Sequence, residues 1–212
     1  MSRRILIVTA VQEEAQAIGD PDGALVITGG IGKTNAAAAT TAAILSNGPF
    51  AWVINAGVAG ALPTSNLAIG DVVIANESVY TEEGLLTNDG FKDIDEMGFT
   101  LGSFKGNRVP SDNWMCERLS QLGKVAPIAT VATCSGTNAQ AELVAKRTQA
   151  VCEAMEGAAV LHAAKRLGIP GLELRVISNS TGNRETQDWN MKLAIHNLGD
   201  IVNQAIDCIL RT

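Results

Sequence analysis

Short apolar runs alternate with alanine-rich, periodically polar stretches along almost the whole chain. Residues 5–10 form a β-rich run, and a helix follows at once over 11–18, with Gly19 ending it. A second strand is predicted over 24–28. It leads through a glycine loop, Gly29-Gly30-Ile31-Gly32, into a helix over about 34–45, where alanine gives high helix propensity. Residues 52–56 read as a buried strand entering a second glycine loop, Gly57-Val58-Ala59-Gly60, and 72–75 as another strand, introduced by a Gly70-Asp71 turn. From 80 to 110 the periodicity fades among glycines, acids and Phe91, Phe99 and Phe104. So long an irregular stretch in a compact domain is either functional or hides a hairpin. Beyond it the pattern predicts a helix over 112–122, a strand over 128–134, a helix over 139–147 and a short strand over 150–155. An apolar helix over 157–167 is closed by Gly168 and Pro170. A last strand covers 172–178 and a terminal helix roughly 186–210.

Strands this apolar are buried on both faces, which requires helices on both sides of a mostly parallel sheet. No repeat, linker or low-complexity tract interrupts the 212 residues, so one domain over 1–212 is expected. In such sheets ligands sit beyond the carboxyl ends of the strands. The informative positions are therefore polar groups just after strands: Glu14, the two glycine loops, Glu156 and Asn179.

Composition narrows the partner. Hydrophobic residues make up 46% and charged residues 18%, and the formal charge is −6. A nucleic-acid surface needs a basic stripe, and a base-stacking platform needs more aromatics than the 4% here, so a small molecule is the expected partner. Cys116, Cys134, Cys152 and Cys208 show neither metal-ligand nor redox spacing and read as buried free thiols of a reducing compartment. His162 and His196 lie far apart in helical patterns, and no metal or other cofactor is expected. The start Met1-Ser2-Arg3-Arg4 followed by an apolar run imitates a signal peptide, but Gln12-Glu13-Glu14 interrupts it too early. No apolar stretch approaches the roughly 20 residues of a membrane span. A soluble, cytoplasmic protein is expected.

The motifs narrow the chemistry. Gly30-Ile31-Gly32-Lys33-Thr34 ends like a P-loop, but Ile27 stands where that motif needs glycine, and Asn35 where a dinucleotide fingerprint needs its third glycine. What survives is a tight turn at a helix N-terminus, open to an anion or to close packing alike. Glu13 and Glu14 open a helix after the first strand, where acids also suit the positive helix end. Glu156 lies in the most apolar region of the chain, between Met155 and Gly157-Ala158-Ala159. A desolvated carboxylate there either caps the next helix or binds ligand hydroxyls, and the second reading is favoured because buried carboxylates at strand ends cluster at sites. Arg175, within a strand, needs an acidic partner, which Glu14 or Glu156 could supply.

Six segments, in order, resemble the motifs of methylthioadenosine/adenosylhomocysteine nucleosidases in the purine nucleosidase/phosphorylase superfamily. They are Ala10-Val11-Gln12-Glu13-Glu14, Gly30-Ile31-Gly32-Lys33, Asn55 to Gly60, Gly70-Asp71-Val72-Val73, Ala154-Met155-Glu156-Gly157-Ala158-Ala159 and Arg175-Val176-Ile177-Ser178-Asn179. Two positions depart from those enzymes: asparagine, not aspartate, at 179, and Val58 in place of a serine. Asn179, with Gly182, Arg184 and Trp189 after it, is similar to the futalosine hydrolase branch, which removes hypoxanthine from futalosine in an alternative route to menaquinone. An asparagine can donate to the O6 of hypoxanthine, whereas an ionised carboxylate cannot.

The resemblance implies a three-layer α/β sandwich with a central mixed, mostly parallel sheet, nucleoside phosphorylase-like. It implies Glu14 as general base, Arg175 as organiser of the attacking water and its carboxylate partners, and Glu156 as holder of the ribose hydroxyls, with Met155 against the sugar. Asn179 would bind the departing base. Gly32, the run Gly57, Val58, Ala59 and Gly60, and the Cys134–Thr137 loop would line the site. Arg184 is the candidate for the carboxylate on futalosine's aromatic tail, with a surface pair to Glu185 or Asp188 as the equal alternative. A homo-oligomer, dimer or larger, is implied. The competing readings are a 6-oxopurine nucleoside phosphorylase, a methylthioadenosine-type nucleosidase and a catalytically silent nucleoside-binding protein.

Overall fold

A computed structural model describes residues 4–63 and 65–211, so the basic start ahead of Arg4 lies outside the described residues. In chain order the elements are β1 (Ile5–Thr9), α1 (Gln12–Ile18), β2 (Ala24–Thr28), α2 (Lys33–Asn47), β3 (Trp52–Ala61), β4 (Val72–Tyr80), β5 (Gly84–Thr87), β6 (Gly90–Asp93), β7 (Arg108–Pro110), α3 (Asn113–Leu119), β8 (Lys124–Thr130), α4 (Asn138–Thr148), β9 (Cys152–Ala154), α5 (Gly157–Arg166), β10 (Gly171–Ser180) and α6 (Met191–Leu210).

Eight strands form one mixed sheet. β1 pairs in parallel with β2 and β3, and β3 in parallel with β10. β4 runs parallel to β8 but antiparallel to β10, and β9 antiparallel to β3. The long β3 has three neighbours because its first half pairs with β1 and its last residues with β9. With β10 also on β3, the strands β3, β10, β4, β8 and β9 close into a ring, and β1 and β2 extend from it.

Alternation along β1 shows why the sheet needs cover on both faces. Ile5 and Ile7 join the core under α6, with Leu172, Leu174 and Val202. Leu6 and Val8 join the opposite core under α2 and α5, with Ala36, Val160 and Leu161. Side chains of successive strand residues point to opposite faces, so a continuous apolar run serves two layers.

Several elements differ from the sequence expectation, each for a local reason. The second glycine "loop", Gly57 to Gly60, is strand: it lies inside β3 and pairs with β10 along its length. β4 runs on to Tyr80. β8 begins at Lys124 and ends at Thr130, so 131–134 are loop. Its first half was hidden by Pro127, which the strand accommodates where the β4–β8 register slips between Ala75 and Ser78. α6 starts at Met191, not 186, because the Asn190 side chain accepts from Leu193 N at 3.1 Å and caps it. The irregular 80–110 stretch does hold a hairpin, β5–β6. Of the four cysteines only Cys152 is buried; Cys116 and Cys208 are half-buried, and Cys134, in the loop after β8, is exposed. Among the described residues no helix is long and apolar enough to cross a membrane.

Candidate active site

A buried ion cluster is built into β10. Glu173 and Arg175 stand two residues apart, on one face of the strand, and are 0% and 1% exposed. Arg175 Nε donates to Glu173 Oε1 at 2.8 Å, and Nη2 donates to Glu156 Oε2 at 3.2 Å. Nη2 also donates to Asn55 Oδ1, and Nη1 to the Val58 carbonyl at 3.4 Å. Burial alone would lower the Arg175 pKa, but Glu173, Glu156 and Glu14 outweigh it and hold the guanidinium charged. Burial pushes the Glu173 carboxyl up, opposed by Arg175 and by the Ser78 hydroxyl, which donates to Oε2 at 2.5 Å. Gly157 makes the room: a Cβ there would overlap the Glu173 carboxylate.

Glu14 reaches this cluster from the first turn of α1. Its Oε2 accepts from Ala10 N at 2.9 Å and Val11 N at 3.3 Å, and its Oε1 from Val58 N at 2.9 Å. A carboxylate offers about four lone-pair sites, so one remains free. Glu14 and Arg175 meet over Gly57, where a Cβ would stand 2.5 Å from Arg175 Nη1 and 2.6 Å from Glu14 Oε1. Glycine is required at 57 by space, not by backbone conformation.

Glu156 precedes α5, and its side chain does not cap that helix. Oε1 accepts from Gly32 N at 3.0 Å, and Oε2 from Met155 N at 3.2 Å as well as from Arg175. The first glycine loop therefore spends an N–H on the protein's own carboxylate. Lys33 is engaged as well, at 2.7 Å from Glu82 and 2.9 Å from Glu83.

The other end of the 57–60 run opens on a cavity of about 280 Å³, lined by Gly60, Cys134, Ser135, Gly136, Glu153, Asn179, Arg184, Gln187 and Trp189. A larger cavity, about 500 Å³, lies apart, between the β5–β6 hairpin and α4, and holds none of the expected site residues. Asn179 is buried inside β10, not in a turn after it. A bulge at Ser178 sets it opposite Gly60, since the register steps from Ile177↔Ala59 to Asn179↔Gly60. Its Oδ1 accepts from Ser178 Oγ at 2.8 Å and its Nδ2 donates to the Ser180 carbonyl at 2.8 Å, which leaves one N–H and one lone pair of the amide. Arg184 lies 4.4 Å over the Trp189 ring and donates to Gln187 Oε1 at 3.1 Å. Among the described residues no ion pair joins it to Glu185 or Asp188.

The expected residues thus fall into two groups joined by β3. Glu14, Gly32, Gly57, Val58, Glu156 and Arg175 form the carboxylate cluster, while Gly60, Cys134, Asn179 and Arg184 line the cavity. Ala59 links them, its carbonyl 3.2 Å from Ser178 Oγ. Met155 is half-buried and packs against the cluster of Leu62, Val131 and Val144. Thr137 is not on the cavity wall, because its hydroxyl accepts from Gln140 N at 3.2 Å and caps α4. Sequence reasoning missed Glu173 and Glu153, although each is a carboxylate within an apolar run, the same signal that pointed to Glu156. It also missed Asn55 and Ser78, buried strand residues whose partners are remote in sequence.

The mixed sheet carries paired carboxylates around a buried arginine, and residues 22–207 match the Phosphorylase superfamily. The chain belongs to that superfamily. Within it, the chain is 32% identical to the futalosine hydrolase of Streptomyces coelicolor, over 87% of this chain and 79% of the relative. It is 36% identical to the futalosine hydrolase of Thermus thermophilus, over 84% and 78%. Among solved structures, a mutant Helicobacter pylori MTAN with 5′-methylthioadenosine in its active site superposes with a TM-score of 0.82 at 22% identity, covering 98% of this chain and 99% of that one. At that identity the likeness speaks for the fold alone.

Proposed function

We propose that the chain is an N-ribosyl hydrolase that cleaves the glycosidic bond of futalosine, releasing hypoxanthine and dehypoxanthine futalosine in the alternative route to menaquinone. The observation that carries this reading is Asn179 on the wall of a cavity that adjoins the carboxylate cluster, in a chain whose relatives carry the futalosine hydrolase name.

In the proposed reaction Glu14 uses its free acceptor site to take a proton from water, and the water oxygen bonds to C1′ as the C1′–N9 bond breaks. The bonding electrons leave with the purine, whose N7 takes a proton from solvent, while Glu14 returns to solvent the proton it took from water, so that one water is split across the bond. Positive charge that develops on the ribose is stabilised by the nearby carboxylates. Glu156, with one acceptor site left by Gly32, Met155 and Arg175, receives a ribose hydroxyl, with Met155 beside the sugar, and Arg175 holds Glu156 in place. Asn179 uses its remaining N–H toward O6 and its remaining lone pair toward the proton on N7. Gly32 and Lys33, the groups nearest to a phosphate-binding loop in type, are committed to Glu156 and to Glu82 and Glu83. That supports water over phosphate as the nucleophile.

The working form is proposed to be a cytoplasmic homodimer or larger homo-oligomer, with no nucleic-acid or membrane partner. Leu86 and Phe99, 75% and 65% exposed on and beside the β5–β6 hairpin, supply apolar surface for such an assembly. The deciding experiment is a chromatographic assay of the pure protein against futalosine, inosine and methylthioadenosine in phosphate-free buffer. Hypoxanthine release from futalosine without phosphate is expected. Strict phosphate dependence would identify a phosphorylase, and a preference for methylthioadenosine a nucleosidase of that type.

A further inference from the structure

The cavity beside Asn179 contains a second polar group to which the reaction above gives no task. Glu153 in β9 pairs with Gly60 of β3, and the same Gly60 pairs on its other side with Asn179 of β10. Two strand spacings separate Glu153 from Asn179, about 10 Å between Cα atoms. Gly60 raises no side chain between them, and all three residues line the cavity. The result is a slot with a carboxylate on one side and a carboxamide on the other.

Glu153 is 5% exposed. Its Oε1 accepts from Ser135 N at 2.7 Å and its Oε2 from Ser135 Oγ at 2.6 Å, so each oxygen keeps acceptor capacity. Burial pushes this carboxyl up, and the two Ser135 hydrogen bonds oppose the shift and favour the ionised form. Buried acceptor capacity costs stability unless something uses it, and here it borders a ligand cavity. The Watson–Crick edge of a 6-oxopurine supplies what is missing. Its N1 carries a hydrogen next to the C6 carbonyl, whereas a 6-aminopurine presents a bare N1 lone pair next to an amino group.

We infer that Glu153 is a specificity-determining residue for the base: its carboxylate accepts the N1–H of a 6-oxopurine while Asn179 donates to O6, and it repels the N1 lone pair of a 6-aminopurine. The inference rests on the nucleoside hydrolase reading given above. Two residues then read two adjacent atoms of the base, and discrimination does not depend on Asn179 alone.

The test uses the full-length protein and a matched pair of substrates, futalosine and its 6-amino counterpart, which share the same tail. The ratio of their kcat/KM values is measured for wild type, Glu153→Gln and Glu153→Ala. Because the ratio cancels any inactive fraction, it stays informative if a variant folds poorly. Leaving a buried donor unpaired predicts a fall in the futalosine preference of about ten- to a hundredfold in Glu153→Ala, and a smaller fall in Glu153→Gln, whose amide carbonyl can still accept the N1–H. Glu153→Gln is expected to gain on the 6-amino substrate, because its amide can donate to N1. If both variants keep the wild-type ratio while wild type hydrolyses futalosine, the inference is overturned and Glu153 only anchors the Ser135 loop. If wild type itself releases no hypoxanthine from futalosine, the hydrolase reading has failed, a result distinct from the first.

Discussion

The cluster around Arg175 and the cavity beside Asn179 are separated by only a few residues of β3, yet they are built on different principles. In the cluster, strands and helix starts hold every charged group. Arg175, Glu173, Glu156 and Glu14 are all nearly or fully buried, and their hydrogen bonds run to one another, to backbone, and to the buried side chains of Asn55 and Ser78. In the cavity, the wall is largely loop: Cys134 to Gly136 after β8, and the short turn at Arg184–Thr186 with Trp189 beyond it. Arg184 and Trp189 are exposed; their side chains stack on each other and both hydrogen-bond to Gln187 Oε1. On the proposed mechanism bond cleavage, common to every substrate, falls to the buried, rigid half, and recognition of base and tail to the loop-built, adaptable half.

If that division holds, changes in the cluster lower turnover on all nucleosides without altering preference. Glu14→Gln has the largest expected effect, a loss of about 10²–10⁴-fold in kcat, since a general base contributes that much. Glu156→Gln is expected to affect both kcat and KM, because in the proposed reaction Glu156 holds the ribose before and during bond cleavage. Steady-state kinetics on futalosine check both, and near-normal activity in either variant removes that residue from its role.

Glu173→Gln sharpens the comparison further, because Glu173 acts through Arg175. Removing one charge from a buried pair costs about 3–5 kcal/mol of stability. An Arg175 that shifts by an ångström costs about a hundredfold in kcat. A lower Tm with an unchanged ratio of futalosine to 6-amino substrate is the expected result. A lower Tm with normal kcat would reduce Glu173 to a purely structural partner.

Asn179→Asp moves to the other half. An ionised carboxylate would face O6, an acceptor, and an unsatisfied buried polar group costs about 1–3 kcal/mol. The 6-oxo substrate should lose roughly ten- to a hundredfold in kcat/KM, while the 6-amino substrate loses less or gains. An unchanged ratio means that Asn179 does not read the base, and the futalosine reading loses its main physical support.

The two halves were not equally legible in the sequence. Glu156 and Arg175 stood out because a charge in an apolar run is costly and announces itself, whereas Glu14, beside Gln12 and Glu13, was assigned its role only by the family resemblance. Periodicity gave the order of strands and helices, because alternating β and α runs leave few architectures. It could not reveal that the Gly57–Gly60 segment is strand, since glycines that admit a neighbouring side chain look like glycines that turn the chain. Nor could it give the bulge at Ser178, which depends on pairing between β10 and β3 and determines what Asn179 faces. Thr137 looked like a pocket residue for the opposite reason: a threonine before a helix is first a cap.

The smallest expected effect is also the one that tests the adaptable half most directly. Arg184 lies on the cavity wall with its guanidinium stacked on Trp189 and one hydrogen bond to Gln187. Its charge is not consumed by Glu185 or Asp188, so it stays available to a carboxylate on the substrate's tail. Such a contact at an exposed position is screened by solvent, and its removal in Arg184→Ala should raise KM for futalosine only about two- to fivefold. Inosine, which lacks the tail, should be cleaved as before. Equal losses on both substrates would mean instead that Arg184 serves the cavity by holding Trp189 and Gln187. Gln187 also reaches the Ser135 carbonyl at 3.0 Å, so loosening it would disturb the loop that carries Glu153's partner. The preference between futalosine and its 6-amino counterpart separates these outcomes, since a lost tail contact leaves it untouched and a loosened loop lowers it.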